Sequence, residues 1–203
     1  MTALPSASSD ELEAPRSQPQ RRRLVIDTAA TLADSGGYEA VTMKAVADQS
    51  GVALATIYRW FSSKDHLLAE ALLSWVDLIG ADLAFRELEG DCPADRVAAI
   101  MFRVGDVVTE HPQMASAAIT ALLSHDEEVL RIFDRFHEAI ERWIALAIGE
   151  TPNHADVVEL LEHLLWASLI ALVRGRDTPA TVRDRMVLAS RMLLSASTSQ
   201  NAE

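Results

Sequence analysis

Apolar side chains recur every three or four residues along almost the whole chain after residue 20, and this spacing constrains the fold more than any other feature. Such a period is typical of helices that bury one face. Strict alternation of apolar and polar residues, the pattern of a strand, never lasts, and aromatic residues make up only 5% of the sequence. The sequence therefore predicts an all-α fold of about nine helices.

Glycine, proline and capping residues mark the ends of the expected helices. Gly36-Gly37 is expected to end the first helix, because glycine readily adopts the left-handed conformation that follows a helix. Ser124 and Glu127 have the spacing of a capping box at the start of the seventh helix. The expected ranges are 21–35, 43–49, 53–60, 64–88, 93–111, 114–123, 124–148, 155–174 and 179–195.

Composition excludes several classes of protein. No apolar run approaches the roughly 20 residues that span a membrane, and the polar, aperiodic first 20 residues lack the apolar segment of a signal peptide. Residues 1–20 are therefore expected to form a disordered arm. The single cysteine, Cys92, cannot form an internal disulfide and fits the reducing cytoplasm, where we expect the protein to reside. The histidines lack the spacing of metal ligands, so neither a metal nor another cofactor is expected.

The net charge of −12 is unevenly distributed along the chain. Residues 21–66 contain six Lys or Arg and five Asp or Glu, whereas residues 67–203 contain 11 Arg and 22 Asp or Glu. An acidic C-terminal part lowers non-specific attraction to polyanions, while a local basic surface in the N-terminal part can still bind phosphates. This distribution favours a nucleic-acid site in the N-terminal part.

Two short expected helices lie between Met43 and Trp60 and are joined by a turn at Gly51. This arrangement matches a helix-turn-helix unit. The second helix of such a unit enters the major groove of double-stranded DNA, where each base pair presents a different set of donors and acceptors. The motif therefore predicts DNA binding by the segment that ends at Trp60.

Polar and basic side chains in and near this unit suit phosphate groups. Thr56 and Tyr58 carry hydroxyls, Arg59 adds positive charge, and Lys64 lies in the first turn of the next helix, where free backbone N–H groups also favour an anion. Arg21-Arg22-Arg23 places three cations at the expected start of the first helix, against the helix dipole, and nearby phosphates would offset that cost. The alternative for the arginines is an ordinary solvated charge run.

A dense set of residues between 37 and 68 makes the motif more specific. They are Gly37-Tyr38, Val41-Thr42, Val46-Ala47, Gly51-Val52, Thr56-Ile57-Tyr58, Phe61, Lys64 and Leu67-Leu68. In these residues the sequence resembles the DNA-binding domain of the TetR family of bacterial repressors. The resemblance implies a ligand-responsive regulator that binds a palindromic operator as a homodimer and is not an enzyme.

The resemblance also implies which side chains meet DNA. Those expected to touch phosphates or bases are Thr42, Ala53, Thr56, Tyr58 and Lys64, and those expected to face base edges are Ala53, Leu54 and Ala55.

The sequence departs from the family pattern at two of these positions. Trp60 stands where many members carry a phosphate-contacting histidine, and its indole N–H can donate but brings no charge. Ala55 stands where many members carry glycine. Because Leu54 and the alanines cannot hydrogen-bond to bases, either Arg59 or Lys44 is expected to supply polar readout, and the sequence does not decide between them.

A narrower resemblance concerns the effector. The GGYEAV and MKAVAD segments and the C-terminal spacing of Trp, Ser, Leu and Arg are similar to the actinobacterial TetR repressors of sterol-degradation genes. Those repressors respond to sterol-derived acyl-CoA thioesters, so the resemblance implies a small apolar effector of that class. Candidate pocket residues, each of a type that is also common in ordinary cores, are Met101, Phe102, Met114, Phe133, Phe136, Trp143 and Trp166.

The expected organisation has three parts: the arm at 1–20, a helix-turn-helix domain at 21–66, and an effector-binding and dimerisation domain at 67–203. The fourth helix, 64–88, links the last two parts. Because the family dimerises through its last two helices, and the eighth helix here is apolar on more than one face, helices eight and nine are the expected dimer contact. No phosphate loop or nucleophile motif of an enzyme occurs. A helical scaffold that binds protein without binding DNA is the alternative function.

Overall fold

The computed structural model describes residues 17–85 and 90–199, and within these ranges it contains nine helices and no strand. The all-α prediction is confirmed. The helices are α1 Gln18–Ala40, α2 Met43–Ser50, α3 Leu54–Trp60, α4 Lys64–Phe85, α5 Pro93–Glu110, α6 Pro112–Leu122, α7 Glu127–Ile148, α8 His154–Val173 and α9 Pro179–Ser199.

The start of α1 corrects one expectation. Residues 1–16 of the expected arm lie outside the described residues, but residues 18–20 are helical, so that part of the prediction is wrong. Ser17 and Gln20 form a capping box: the Ser17 N–H donates to Gln20 Oε1 at 2.8 Å, and the Gln20 N–H donates to Ser17 Oγ at 3.5 Å. The box satisfies two N–H groups that the helix itself leaves free, and it starts the helix before the arginines.

The start of α7 corrects a second expectation, the capping box at Ser124 and Glu127. Asp126, not Ser124, is the N-cap: its Oδ1 accepts a hydrogen bond of 2.9 Å from the Glu128 N–H. Ser124 instead accepts from the Asp126 N–H through its own hydroxyl. A carboxylate at the N-cap is favoured because it faces the positive end of the helix dipole.

The glycine pair near the end of α1 interrupts the helix, as the sequence predicts. Gly37 has φ +70° and ψ −166°, so the helix is interrupted there and resumes for one turn before Val41. A side chain at this left-handed φ would be strained. The break turns the chain towards α2.

Two cores hold the helices together. The N-terminal core joins α1, α2, α3 and the first half of α4 around residues that include Val25, Ile57, Phe61 and Leu68. The C-terminal core joins the second half of α4 with α5, α7, α8 and α9. α6 closes the N-terminal core with Met114 and three alanines, although it lies far along the sequence from the other members. The N-terminal helices therefore do not complete their own core.

Two glycines permit close helix contacts in the C-terminal part. A Cβ on Gly80 of α4 would lie 3.1 Å from the Trp143 indole of α7, and a Cβ on Gly105 of α5 would lie 3.2 Å from the Pro179 ring of α9. Both distances are below ordinary van der Waals contact between heavy atoms. The absence of a side chain at the two glycines lets Trp143 pack closely against α4 and Pro179 pack closely against α5.

We expect Met114→Ala to lower the free energy of unfolding by about 2–5 kcal/mol, because the side chain is fully buried and leaves a cavity between α6 and the N-terminal helices. Urea unfolding followed by circular dichroism measures the change. Leu123→Ala, at a side chain exposed next to the end of α6, is the control and should change stability by less than about 0.5 kcal/mol. Equal, small effects of both substitutions would contradict the shared core.

Candidate nucleic-acid interface

The α2–turn–α3 unit is fixed from both sides by backbone geometry and burial. Thr42 caps α2, with its Oγ1 accepting from the Ala45 N–H at 3.1 Å. Gly51 ends α2 in the left-handed conformation, at φ +69°, which glycine adopts without the cost of a Cβ. Val52 and Ile57 then bury their side chains in the N-terminal core. This anchoring orients α3 with one face inward and the other outward.

The outward face of α3 carries the side chains that the sequence predicts for base contact. Ala53 and Ala55 are exposed, Leu54 is 39% exposed and Tyr58 54% exposed. Leu54 and Tyr58 are one helical turn apart, so these two large exposed side chains share the outward face. Arg59 is also exposed, in the last turn of α3.

The two candidates for polar readout differ in their surroundings. Lys44 Nζ lies 3.0 Å from the Asp48 carboxylate one turn along α2, and both side chains are largely exposed. Arg59 instead lies on α3 itself, beside Tyr58. A lysine that already faces a carboxylate presents less net charge to a third group.

Trp60 is placed differently from the expectation. Its ring packs against the N-terminal core, and its indole Nε1 is buried with no hydrogen-bond partner in the described part of the chain. An N–H group that is shielded from solvent cannot reach a phosphate oxygen in this conformation. The sequence predicts a DNA contact for Trp60 because this residue replaces a histidine. The structure shows a packing residue instead.

Lys64 is held at the N-terminus of α4. Its Nζ lies 3.6 Å from the centroid of the Tyr38 ring and donates to the Tyr38 carbonyl at 3.4 Å. The Tyr38 hydroxyl donates to the Asp65 carboxylate at 2.5 Å. Burial, together with this carboxylate, raises the pKa of Tyr38 to about 12. The tyrosine therefore stays neutral and keeps the lysine ammonium beside the first turn of α4.

The three N-terminal arginines do not lie where the sequence predicts. Since α1 begins at Gln18, Arg21 follows the first turn, and the cost against the helix dipole is reduced. Two of the arginines are paired within the protein: Arg22 with Glu70 and Arg23 with Asp27, each at 2.8 Å. Arg21 is exposed.

A network of charged side chains surrounds Phe61, the residue that follows α3. The Arg22 guanidinium stacks 4.8 Å above the Phe61 ring and donates to Glu70, whose carboxylate also lies 3.9 Å from His66 Nε2. The contacts with His66 and Arg22 outweigh burial and lower the pKa of Glu70 to about 2. This network ties the start of α1 to α4 and to the residue that follows α3.

We expect Glu70→Gln to lower the free energy of unfolding at pH 7 by about 1–3 kcal/mol, since it removes a charge-assisted contact. The pKa of Glu70 is about 2 in the folded chain against 4.5 ordinarily, so its contribution is complete above pH 4.5 and disappears as the pH falls towards 2. The difference between wild type and variant, measured by urea unfolding, should shrink over that range. A difference independent of pH would contradict this assignment, and exposed Glu110→Gln is the control.

A small cavity of about 60 Å³ lies in the C-terminal part, between α4, α5, α6, α7 and α8. Every lining side chain is aliphatic or aromatic. They are Leu72, Trp75, Val76, Ile79, Val104, Val107, Val108, Ala115, Ile119, Phe136, Ile140, Trp143, Trp166 and Leu169. Such a cavity can take up a hydrocarbon group and offers little to a charged one.

The cavity contains three of the expected pocket residues, Phe136, Trp143 and Trp166. The other four lie elsewhere. Phe102 is 53% exposed on α5, Met101 is buried in the C-terminal core, Met114 belongs to the N-terminal core, and the Phe133 ring packs edge-to-face on Trp166 without lining the space. The sequence analysis did not predict that α4 lines the cavity. The signal was present, because Trp75 and Ile79 extend the apolar residues of α4 beyond one narrow face.

Large apolar side chains also remain exposed on the last two helices. They include Leu160 on α8 and both Leu188 and Met192 on α9, each more than half exposed. α8 and α9 pack against each other and bury Leu165, Leu169 and Met186 on the opposite side. The outward apolar face is therefore additional to what the chain needs for its own core.

Membrane-spanning helices and metal-binding clusters are both absent from residues 17–85 and 90–199. No helix in these ranges combines the length and apolar character needed to cross a bilayer. In the same part of the chain, no group of three or more His, Cys, Asp or Glu side chains is arranged to hold a metal ion.

Comparison with known proteins identifies relatives over nearly the whole chain. Residues 25–71 match the family described as bacterial regulatory proteins, tetR family, and residues 90–193 match the tetracyclin repressor-like C-terminal domain. The HTH-type transcriptional repressor KstR of Rhodococcus jostii is 29% identical over 95% of this chain and 91% of its own. KstR of Mycobacterium tuberculosis is 30% identical over 87% of this chain and 82% of its own.

Solved structures share the fold. A TetR transcriptional regulator from Rhodococcus sp. RHA1 superposes with a TM-score of 0.76 at 21% identity, over 88% of this chain and 98% of that one. A tetR-family regulator from Streptomyces coelicolor gives a TM-score of 0.70, also at 21% identity, over 91% and 85% of the two chains.

Proposed function

Because the chain belongs to the TetR family of bacterial regulatory proteins, we propose that it represses transcription from a palindromic operator and is released by a small apolar effector. It is a transcriptional regulator and not an enzyme. The observation that carries the operator proposal is the outward face of α3, where Leu54 and Tyr58 are exposed while Ile57 is fully buried. Operator DNA shares a compartment with the chromosome, so the proposal includes the cytoplasmic location.

In this proposal α3 enters the major groove. Ala53, Leu54 and Ala55 lie nearest the base edges, where their apolar groups contact thymine methyls. Thr42, Thr56, Tyr58 and Lys64 contact the phosphates on either side and set the position of the helix. The Tyr38 contact supports this role for Lys64, since it holds the ammonium at a helix N-terminus, where anions are favoured.

Arg59 is the proposed polar reader of a base. It projects from α3, whereas Lys44 lies on α2 and faces Asp48 at 3.0 Å. A guanidinium can donate two hydrogen bonds to O6 and N7 of guanine, which none of the apolar residues can replace. Lys44 is assigned to the phosphate backbone. Trp60 supports α3 from the core side and is not a phosphate donor in this proposal.

The proposed dimer forms through α8 and α9. A two-fold axis would pair the exposed apolar face containing Leu160, Leu188 and Met192 with the same face of a second copy. The symmetry would place two α3 helices on one side of the DNA, about one or more helical turns apart. A palindromic operator then matches the symmetry of the protein.

The proposed effector places a hydrocarbon group in the cavity. The lining contains no charged residue, and the cavity of about 60 Å³ has to widen when such a group enters. Following the resemblance to the actinobacterial repressors of sterol-degradation genes, we propose an acyl-CoA whose acyl group is sterol- or lipid-derived. The charged nucleotide would remain outside the apolar cavity, because burying unpaired phosphates is too costly. The rival function, a helical scaffold that does not bind DNA, is not favoured by the family assignment.

We expect Lys64→Ala to weaken binding to all DNA sequences and to reduce the slope of log affinity against log salt by about one. Arg59→Ala should instead cost about 1–3 kcal/mol at the selected site and relax sequence preference there. Fluorescence anisotropy with a labelled duplex, titrated at several salt concentrations, measures both effects. Arg142→Ala, on the exposed side of α7, is the control. An unchanged salt slope for Lys64→Ala would contradict its role at the phosphates.

We expect Val108→Phe to lower affinity for a sterol-derived acyl-CoA at least about tenfold by filling the cavity, while DNA affinity without effector is little changed. Tryptophan emission reports binding because Trp75, Trp143 and Trp166 line the cavity. Coenzyme A without an acyl group should neither shift the emission nor release DNA. Equal binding by wild type and Val108→Phe would place the effector elsewhere.

A further inference from the structure

The N-terminus of α7 touches the segment that directly follows α3. Asp126 caps α7 through its Oδ1 atom, and its other oxygen, Oδ2, accepts hydrogen bonds of 2.7 Å from both Ser62 Oγ and Ser63 Oγ. The two serines belong to the short connection between α3 and α4. One carboxylate therefore caps the start of α7 and also holds the two serines that follow the proposed recognition helix.

The same serines are bonded into the N-terminal core. The Ser62 N–H donates to His66 Nδ1 at 3.2 Å, and Ser63 Oγ accepts from the His66 N–H at 3.1 Å, which caps α4. His66 Nδ1 is thus an acceptor, and its Nε2 faces Glu70 at 3.9 Å. Displacement of Asp126 would consequently disturb a bonded network, not a free loop.

Further along its length, α7 reaches the cavity. Phe136, Ile140 and Trp143, all on α7, line it, and Phe136 lies ten residues beyond Asp126. At the rise of an α-helix this is about 15 Å. α7 is continuous over that length, so a shift of its cavity-lining residues moves its N-terminal cap as well.

We infer that Asp126 is a positioning residue that couples the cavity to α3: its contact with Ser62 and Ser63 transmits a shift of α7 to the connection that follows the recognition helix. The inference rests on the proposed function. It assigns a route through α7 in addition to α4, which connects the two parts of the chain directly. The hydrogen bonds to Asp126 also keep its carboxylate ionised, because they lower its pKa against the opposing effect of burial.

Coupling between two sites is reciprocal, so DNA bound at α3 must stabilise the start of α7 if the contact transmits. Hydrogen exchange of the full chain, with and without a duplex that the wild-type protein selects from random sequence, measures this directly. In wild type we expect DNA to slow exchange in residues 126–133 about fivefold or more. In Asp126→Ala the slowing should be lost.

Loss of the α7 cap raises exchange in Asp126→Ala with and without DNA, so the readout is the DNA-dependent difference. Asp126→Asn still offers an acceptor to the Glu128 N–H and an amide to the serines, and it should restore most of the difference. Asp156→Ala, at an acidic residue in the first turn of α8, is the matched control and should leave the difference unchanged.

The outcomes separate this inference from the function on which it rests. If no duplex is bound at any salt concentration, the operator proposal fails and the coupling fails with it. If DNA is bound but exchange at the start of α7 is unaffected in wild type, or is equally slowed in Asp126→Ala, the coupling alone is overturned.

Discussion

The burial of Ile57 and Phe61 determines the geometry on which the rest of this molecule depends. Both side chains are fully excluded from solvent, and they fix one face of a seven-residue helix that could not be stable alone. The opposite face then has to be exposed, and its leucine and tyrosine have no core to enter. α6 completes the same core with Met114, so the orientation of the short helix is linked to the part of the chain that surrounds the cavity.

Charge acts at a second level, through a few contacts that hold cations near α3. Tyr38 holds Lys64 at the start of α4, and Glu70 holds Arg22 above Phe61. These contacts lie in an N-terminal segment that is nearly neutral within a strongly acidic chain. Acidic residues elsewhere disfavour unspecific contact with DNA, and Lys64 together with the exposed Arg59 leaves one surface on which phosphates are attracted.

The sequence was sufficient for what local chemistry decides, including the helical content, the break at Gly37 and the turn at Gly51. It was insufficient where tertiary packing decides. Met114 and Phe102 are residue types that commonly line apolar pockets. In the structure Met114 fills a core shared with distant helices, and Phe102 faces outward. Helical period gives the direction of a side chain around its own axis and not which neighbour lies there. The residues of the capping box, Ser17 and Gln20, are visible in the sequence, but they lie in a segment without the apolar spacing of a helix.

The most direct measurement of the central claim, that the exposed face of α3 reads DNA, is sequencing of duplexes retained by the purified protein from a random pool. The account requires enrichment of a two-fold symmetric site whose half-site centres lie about 10 base pairs, or a multiple, apart. It also requires Arg59→Ala to lose preference at one symmetric pair of positions while the rest of the site is kept. Retention of DNA without any enriched sequence, or an unchanged site for Arg59→Ala together with Leu54→Ala and Tyr58→Ala, would contradict it.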